Sequence, residues 1–530
     1  MLVTMEKIVS FAKRRGFIFP SSEIYGGLNG AWDYGPLGVE FKRNIKDAWW
    51  SDMIAHHDET EAPPGAPAAF AMVGLDTALL MNPRVWEASG HVGGFHDPMV
   101  DCRETRNRYR ADQLVVFRVA FDDTNAVSDN AKDVAARSDD VLFASPGEAG
   151  KTSEEELIEP HRKRIAALAK QHKGGTMRVQ VVEGALFDAS LRERTFAPGA
   201  SKAGTLTAPR AFNLMFKTYV GALEDSSSIA YLRPETAQGI FVNFRNVCDT
   251  SRVRLPFGIG QIGKAFRNEI NPRNFTFRSR EFEQMEIEFF CRPEEAGEWY
   301  RYWRDRRYAW YSRLGIRTEN LELREHDASE LAHYAAGCAD VEYRFPFGQS
   351  ELEGIANRAD FDLRQHMQFS GKDLRYVDEQ EPDPGRRKFL PHVIEPSAGA
   401  DRAALAFLCD AYAEDEVGGE PRTVLRIHPR LAPVKVAVFP LVKKEGMPEA
   451  ALRIYRTLLR RFNAFYDEKG AIGRRYRRQD EAGTPYCVTV DGETSSDGTV
   501  TVRERDSCEQ VRVQADALEA YLGERLEGPR

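Results

Sequence analysis

The chain has 530 residues, of which 42% are hydrophobic and 29% charged, with a formal net charge of −8. That length exceeds one ordinary core and predicts two or three domains; the composition excludes a disordered chain, and no apolar run is long enough to cross a bilayer. Seven scattered cysteines (102, 248, 291, 338, 409, 487 and 508) include no CxxC pair, which argues against a zinc knuckle or a disulfide scaffold and for a reducing cytoplasm, with no zinc expected. Met1–Lys7 lacks the basic and apolar segments of an export signal, so export is not expected. The negative charge does not exclude nucleic acid, which is met by local basic patches.

In chain order, Leu37, Phe41, Ile45 and Trp49 recur on one helical face and predict a helix over Pro36–Trp50. Glu61–Met72 is rich in proline, alanine and glycine and reads as an irregular loop, and Gly74–Pro83 reads as a strand stopped by proline. Arg118 to Leu206 reads as an insertion. Its first part, Asp122–Lys151, lacks periodicity, and Ser153-Glu-Glu-Glu-Leu then opens a capped helix toward His172. The pattern resumes at Phe212. Pro293–Leu314 is a helix whose aromatics (Trp299, Tyr300, Trp303, Trp310) have the spacing of a packed core. Composition shifts near His428-Pro429. Val434–Val442 then reads as a buried parallel strand, Pro448–Lys469 as a helix, Tyr486–Val490 and Gly498–Arg503 as strands, and Ala515 onward as a last helix. This alternation predicts a compact α/β domain.

The most informative stretch is Gly263–Phe290. An apolar approach reaches Phe266-Arg267-Asn268-Glu269, a polar loop carries Phe277, Arg278 and Arg280, and a second strand-like run bears Phe282, Glu286 and Glu288. Two strands joined by an arginine-bearing loop can hold a guanidinium, a carboxylate and a ring around one flat polyanion, because arginine's planar fork forms paired, charge-assisted bonds with phosphate. Read alone, this is equally a salt-bridged hairpin.

With Tyr231-Leu-Arg-Pro-Glu-Thr-Ala-Gln-Gly-Ile240 upstream and Glu395-Pro-Ser-Ala-Gly-Ala-Asp-Arg402 downstream, the stretch resembles the second of three motifs of class II aminoacyl-tRNA synthetases, and specifically the homodimeric glycyl-tRNA synthetases. The resemblance implies an α+β catalytic domain built on an antiparallel sheet flanked by helices, divided between residues 1–117 and 207–428. It also implies an insertion at 118–206 lying against the tRNA acceptor arm and a C-terminal anticodon-binding α/β domain at 429–530. The helix and strand over 36–83 resemble the first motif, which builds the dimer interface.

The implied chemistry is activation of glycine by ATP with Mg²⁺, then transfer to the 3′ end of tRNA(Gly), in the cytoplasm. For the α-phosphate the resemblance implies Arg267, with Asn268 beside it. Glu269 would accept from the adenine amino group and Phe282 would stack on the base. Phe277, Arg278, Arg280, Glu351, Leu352, Glu395 and Arg402 complete the ATP set, with Arg402 on the γ-phosphate and Glu351 and Glu395 as Mg²⁺ ligands. Glycine would be held by Arg110, Glu235, Phe282, Glu286, Glu395 and Ser397. The turn-like run Arg474, Arg475, Arg477, Arg478, with Tyr476, either contacts tRNA or is a solvated basic turn. Family relatives often carry paired cysteines near the counterpart of Cys102; here none follows it, so no metal is expected there. Two other readings stay open: a nucleic-acid-binding accessory subunit with the fold but not the activity, and a class II enzyme for serine or alanine.

Overall fold

The structure, a computed structural model, describes residues 3–122, 141–147, 152–171, 176–225, 227–327, 331, 335–444 and 446–527. It divides into two compact units, one of residues 1–89 and 215–530 and the other of residues 90–214.

The larger unit is built on a seven-stranded sheet of β1 (Ala71–Gly74), β2 (Phe257–Phe266), β3 (Glu281–Cys291), β4 (Leu321–Glu325), β5 (Gly337–Phe345), β6 (Gly348–Ala359) and β7 (His392–Gly399). Its order is β4-β5-β6-β7-β3-β2-β1. Pairing is antiparallel throughout except for β1, which runs parallel to β2. The two-residue period of a strand sorts β3 cleanly. Met285, Ile287, Phe289 and Cys291 enter one core with α1 (Pro36–Trp50), α3 (Ala296–Arg313) and α5 (Ala400–Ala411). The even-numbered residues face the other way, where Phe290 packs under α2 (Ala237–Ser251) and near α4 (Phe361–Ser370). Glu286 and Glu288 lie on that second face, where the helical cover gives way to polar side chains. Trp299, Trp303 and Trp310 of α3 are fully buried, as their spacing requires.

The expected strand over Gly74–Pro83 is displaced. The paired residues are Ala71–Gly74, which begin in the segment read as loop and end where the strand was expected to start, while Pro83 opens a short helix capped by Asn82. The chain leaves the sheet after Leu75 because Thr77 turns to accept from Arg233 through its carbonyl (2.8 Å) and hydroxyl (3.0 Å).

The C-terminal part carries a five-stranded mixed sheet in which Val436–Pro440, wholly buried, pairs in parallel with Ala464–Tyr466 and Tyr486–Val490. The predicted helix over Pro448–Lys469 stops at Leu458, because Ala464–Tyr466 is drawn in as an edge strand. A strand at Gln510–Gln514 precedes the last helix, Leu518–Glu527. The basic run is not a turn. It lies on α6 (Ile472–Ala482), one face of which is buried.

The smaller unit contains a four-stranded sheet in the order Thr176–Val181, Leu114–Asp122, Leu142–Pro146, Thr195–Phe196. It reaches beyond 118–206 because His96–Asp101 pairs with Arg210–Asn213. Much of Asp122–Lys151 lies outside the described residues. Ser153 and Glu156 form the expected capping box, and the helix is interrupted at Glu159–His161, where Pro160 removes a donor. Cys102 is buried and its thiol donates to Thr205 Oγ1 (3.4 Å).

Candidate active site

The second face of β3 presents Phe282, Gln284, Glu286 and Glu288 in succession, and its two ends differ in chemistry. At the Phe282 end, the Arg267 guanidinium lies 5.3 Å from the Phe282 ring centroid and donates to Pro234 O (3.1 Å). Glu269 is buried and paired with Arg278 (2.8 Å). Arg280 donates to the carbonyls of Glu269 (2.9 Å) and Asn29 (2.5 Å), fixing the loop. Asn268 is half-buried between these residues. Arg402 stacks over Phe277 (4.4 Å) and pairs with Glu351 (3.0 Å). Leu352 is fully buried in the main core, so its side chain cannot line a ligand site and only its backbone is left for that role.

At the other end the carboxylates gather. Glu286 accepts from the hydroxyls of Ser397 (2.7 Å) and Thr236, and from Gln284 Nε2 (3.4 Å). Carboxylate oxygens of Glu286, Glu288 and Glu395 lie within 4.8 Å of one another. Glu235 borders this group and accepts from Gln238 Nε2 (3.0 Å). Burial raises the Glu286 carboxyl above its ordinary range, and Glu235 adds to the shift. Burial also lifts Glu395 to about 8 against the opposing pull of Arg358. Glu288 is raised well above normal by burial and by Glu395, and neither of its oxygens has a hydrogen-bond partner among the described residues. Buried like charges of this kind favour a cation.

The β-register explains why these residues meet. Ser397 is the direct partner of both Glu286 and Gly354, and direct antiparallel partners share a face. The same register separates Glu351 from Glu395. Ala356 is the partner of Glu395, and the Glu351 backbone lies five residues along β6, about 16 Å along the strand at about 3.3 Å per residue. The Glu351 side chain reaches back along β6, its Oε1 4.0 Å from where a Cβ at Gly354 would be, which carries its carboxylate toward the Glu395 side of the strand. Half-exposed Glu351 fits a cation shared with phosphates, whereas Glu395 belongs to the acid cluster, tied to Arg358 (2.9 Å).

Three residues of this region had no role assigned from the sequence. Arg358 is buried and bridges Glu395 and Asp362 (2.7 Å); in the sequence it stands among Asn357, Asp360 and small apolar residues with nothing to mark it. Glu288 adds the third close carboxylate. Arg233 is also buried, donating to Lys264 O (2.6 Å), and its guanidinium occupies the space a Cβ at Gly263 would take, so a larger residue there would have to displace it.

Arg110 belongs to the smaller unit, where it pairs with Asp97 (3.0 Å) and Asp112 (2.5 Å). On α6, Arg475 is buried and donates to Pro440 O (2.6 Å) and Leu441 O (3.1 Å), so it braces the domain and presents no charge outward. Arg477 donates to Val417 O (3.3 Å) and Arg478 pairs with Asp467 (2.5 Å). Tyr476 packs on Phe439 with its hydroxyl on Thr489, which withdraws its ring from base stacking. Arg474 is exposed. No helix among the described residues is long and apolar enough to cross a membrane.

Residues 435–525 match the anticodon binding domain family. Over nearly its full length the chain is similar to the glycine–tRNA ligase of Rhodopirellula baltica, at 54% identity covering 98% of this chain and 99% of that protein. It is 51% identical to the glycine–tRNA ligase of Caldanaerobacter subterraneus subsp. tengcongensis, with 99% of each covered. It is 48% identical to that of Geobacillus kaustophilus, covering 99% of this chain and all of the relative. Sharing about half its residues with these proteins from end to end, the chain belongs to the glycine–tRNA ligase family.

Proposed function

We propose that this protein activates glycine with ATP and transfers it to tRNA(Gly). In the first step a glycine carboxylate oxygen attacks the α-phosphorus and pyrophosphate leaves. In the second, a hydroxyl of the 3′-terminal ribose attacks the glycyl carbonyl and AMP leaves. The observation that carries this reading is the polarity of one strand face. Phe282 and Glu286 are four residues apart on β3, about 13 Å, which suits a ligand with a nucleotide at one end and an ammonium at the other.

In this reading Arg267 meets the α-phosphate and the charge developing on it, by positioning and electrostatics. Arg278 and Arg402 exchange their present carboxylate partners, Glu269 and Glu351, for the outer phosphates. Glu269 is thereby released to accept from the adenine amino group. Mg²⁺ supplies charge neutralisation on those phosphates when bound, and Glu351 is the residue to hold it. Glu235, Glu286 and Glu395 take the glycine ammonium, with Ser397 orienting Glu286. Glycine is the smallest substrate, so larger amino acids are rejected by lack of room rather than by editing. The exposed Arg474 is the α6 residue proposed to meet tRNA, and a homodimer is proposed through the segment around α1.

ATP–pyrophosphate exchange with glycine, alanine and serine tests the reading. Glycine-dependent exchange that falls by about 10²–10³-fold in Arg267→Ala is expected. Faster exchange with alanine or serine, or none with any amino acid, overturns it.

A further inference from the structure

At the far edge of the same sheet, outside the residues discussed above, three side chains of different chemistry converge. β4 ends at Glu325, paired with Ala339 of β5. The ladder continues one step further, where the His326 amide donates to the Cys338 carbonyl (2.9 Å). His326 and Cys338 are therefore direct cross-strand partners, and Asp340 lies two residues along β5 on the same face. His326 Nε2 is 2.7 Å from Asp340 Oδ2, and one donor atom from each of the three residues lies within 4.8 Å of the others. Cys338 is a free, half-buried thiol.

We propose that His326, Cys338 and Asp340 bind a zinc-class divalent cation that fastens the end of the edge strand β4 to β5. An imidazole, a thiolate and a carboxylate together select a borderline-soft metal such as Zn²⁺ over Mg²⁺ or Ca²⁺, which require oxygen donors. Zn–N and Zn–O bonds of about 2.0 Å and a Zn–S bond of about 2.3 Å set tetrahedral ligand atoms about 3.5 Å apart. The present separations, 2.7 Å between His326 and Asp340 and no more than 4.8 Å among the three, bracket that spacing. A water molecule completes the fourth position. The spot beside Gly354 of β6 is lined by oxygen: a Cβ there would lie 3.7 Å from Asp340 Oδ1 and 4.0 Å from Glu351 Oε1. Glu351 acts on Asp340, and Glu395, Glu351 and Glu325 act on Cys338, through their negative charge, against one nearby cation, Arg324. On binding, the Cys338 thiol gives up its proton to solvent and sulfur donates the freed pair to the metal. The ligands are split between two strands, so the lack of a CxxC pair has no bearing on this site.

The test uses the full chain, stripped with a chelator and reloaded with Zn²⁺ or Co²⁺ alone. Wild-type protein is expected to bind one equivalent of Zn²⁺ per chain, and the Co²⁺ form to show a near-ultraviolet thiolate-to-cobalt charge-transfer band. Cys338→Ser should abolish the band, and His326→Gln should weaken Zn²⁺ binding by about 100-fold or more, each with an unchanged circular dichroism spectrum. Zn²⁺ binding well below one equivalent, or a band unaffected by Cys338→Ser, overturns the proposal. The wild-type cobalt spectrum needs no variant, so a band-free spectrum refutes it even if both variants misfold.

Discussion

The two ends of the β3 face stabilise charge in opposite ways. At the Phe282 end, Glu269 is matched by Arg278 and Glu351 by Arg402, and three of these four side chains keep partial contact with solvent. At the Glu288 end, Glu286, Glu288 and Glu395 are all buried, and Arg358 is the cation placed directly against them. A ligand at the first end has to exchange partners, because the charges there are already paired. A cation at the second end supplies charge that the fold lacks. Substitutions should therefore cost mainly activity at the arginine end, whereas at the acid end they should move stability, in either direction.

The largest expected effect follows from removing the cation of the acid end. Arg358→Leu leaves Glu395 and Asp362 buried without their partner, and should lower stability by about 3–5 kcal/mol, as read from the denaturant midpoint. Arg278→Ala breaks a pair whose side chains are 22% and 9% exposed, and should cost less, about 1–3 kcal/mol. Equal losses for the two variants would erase the contrast between the ends.

A smaller effect, with the opposite sign, is expected at Glu288. A carboxyl whose folded pKa lies above its unfolded value keeps a proton that the unfolded chain has already released. Its contribution to stability is therefore undiminished below about pH 4.5 and declines as pH rises toward the folded value, about 8 for Glu395. Thermal midpoints should accordingly fall between pH 5 and pH 8. Glu288→Gln removes one of these groups, and should raise stability at pH 8 by about 1–3 kcal/mol with little change at pH 5. Glycine should also bind more tightly as pH rises across that window, with proton release measurable by calorimetry in buffers of different ionisation enthalpy. A flat pH profile in the wild type would show that the carboxylates are already compensated.

The arginine end was legible in the sequence, because phosphate chemistry calls for particular residue types at short range: Arg267, Glu269, Arg278 and Phe282 fall within one hairpin. The acid end was legible only in part. Glu286 and Ser397 stand in motifs, but what brings them together is the pairing of β3 with β7 and of β7 with β6, strands far apart in the chain. Arg358 enters by that register, and Asp362 by its place in the first turn of α4, four residues beyond Arg358. The misplaced strand near Gly74 has a related cause. Its partner is β2, nearly two hundred residues later, and the local apolar run Leu79-Leu80-Met81 was the stronger signal. On α6 the arginines were visible as charge, but their burial was not, because it depends on carbonyls exposed at the end of Val436–Pro440.

That helix repeats the contrast on a smaller scale, within two adjacent residues. Arg475→Ala removes the donor to the buried Pro440 carbonyl and to the Leu441 carbonyl beside it, and should destabilise the C-terminal domain by about 1–3 kcal/mol. Arg474→Ala removes an exposed charge and should leave the midpoint unchanged. If Arg474 meets a tRNA phosphate, its loss should reduce the slope of log affinity against log salt by about 1, with glycine-dependent ATP–pyrophosphate exchange unaltered. An unchanged slope would move the tRNA contact off this face of α6, while leaving Arg475 as the residue that holds the helix to its sheet.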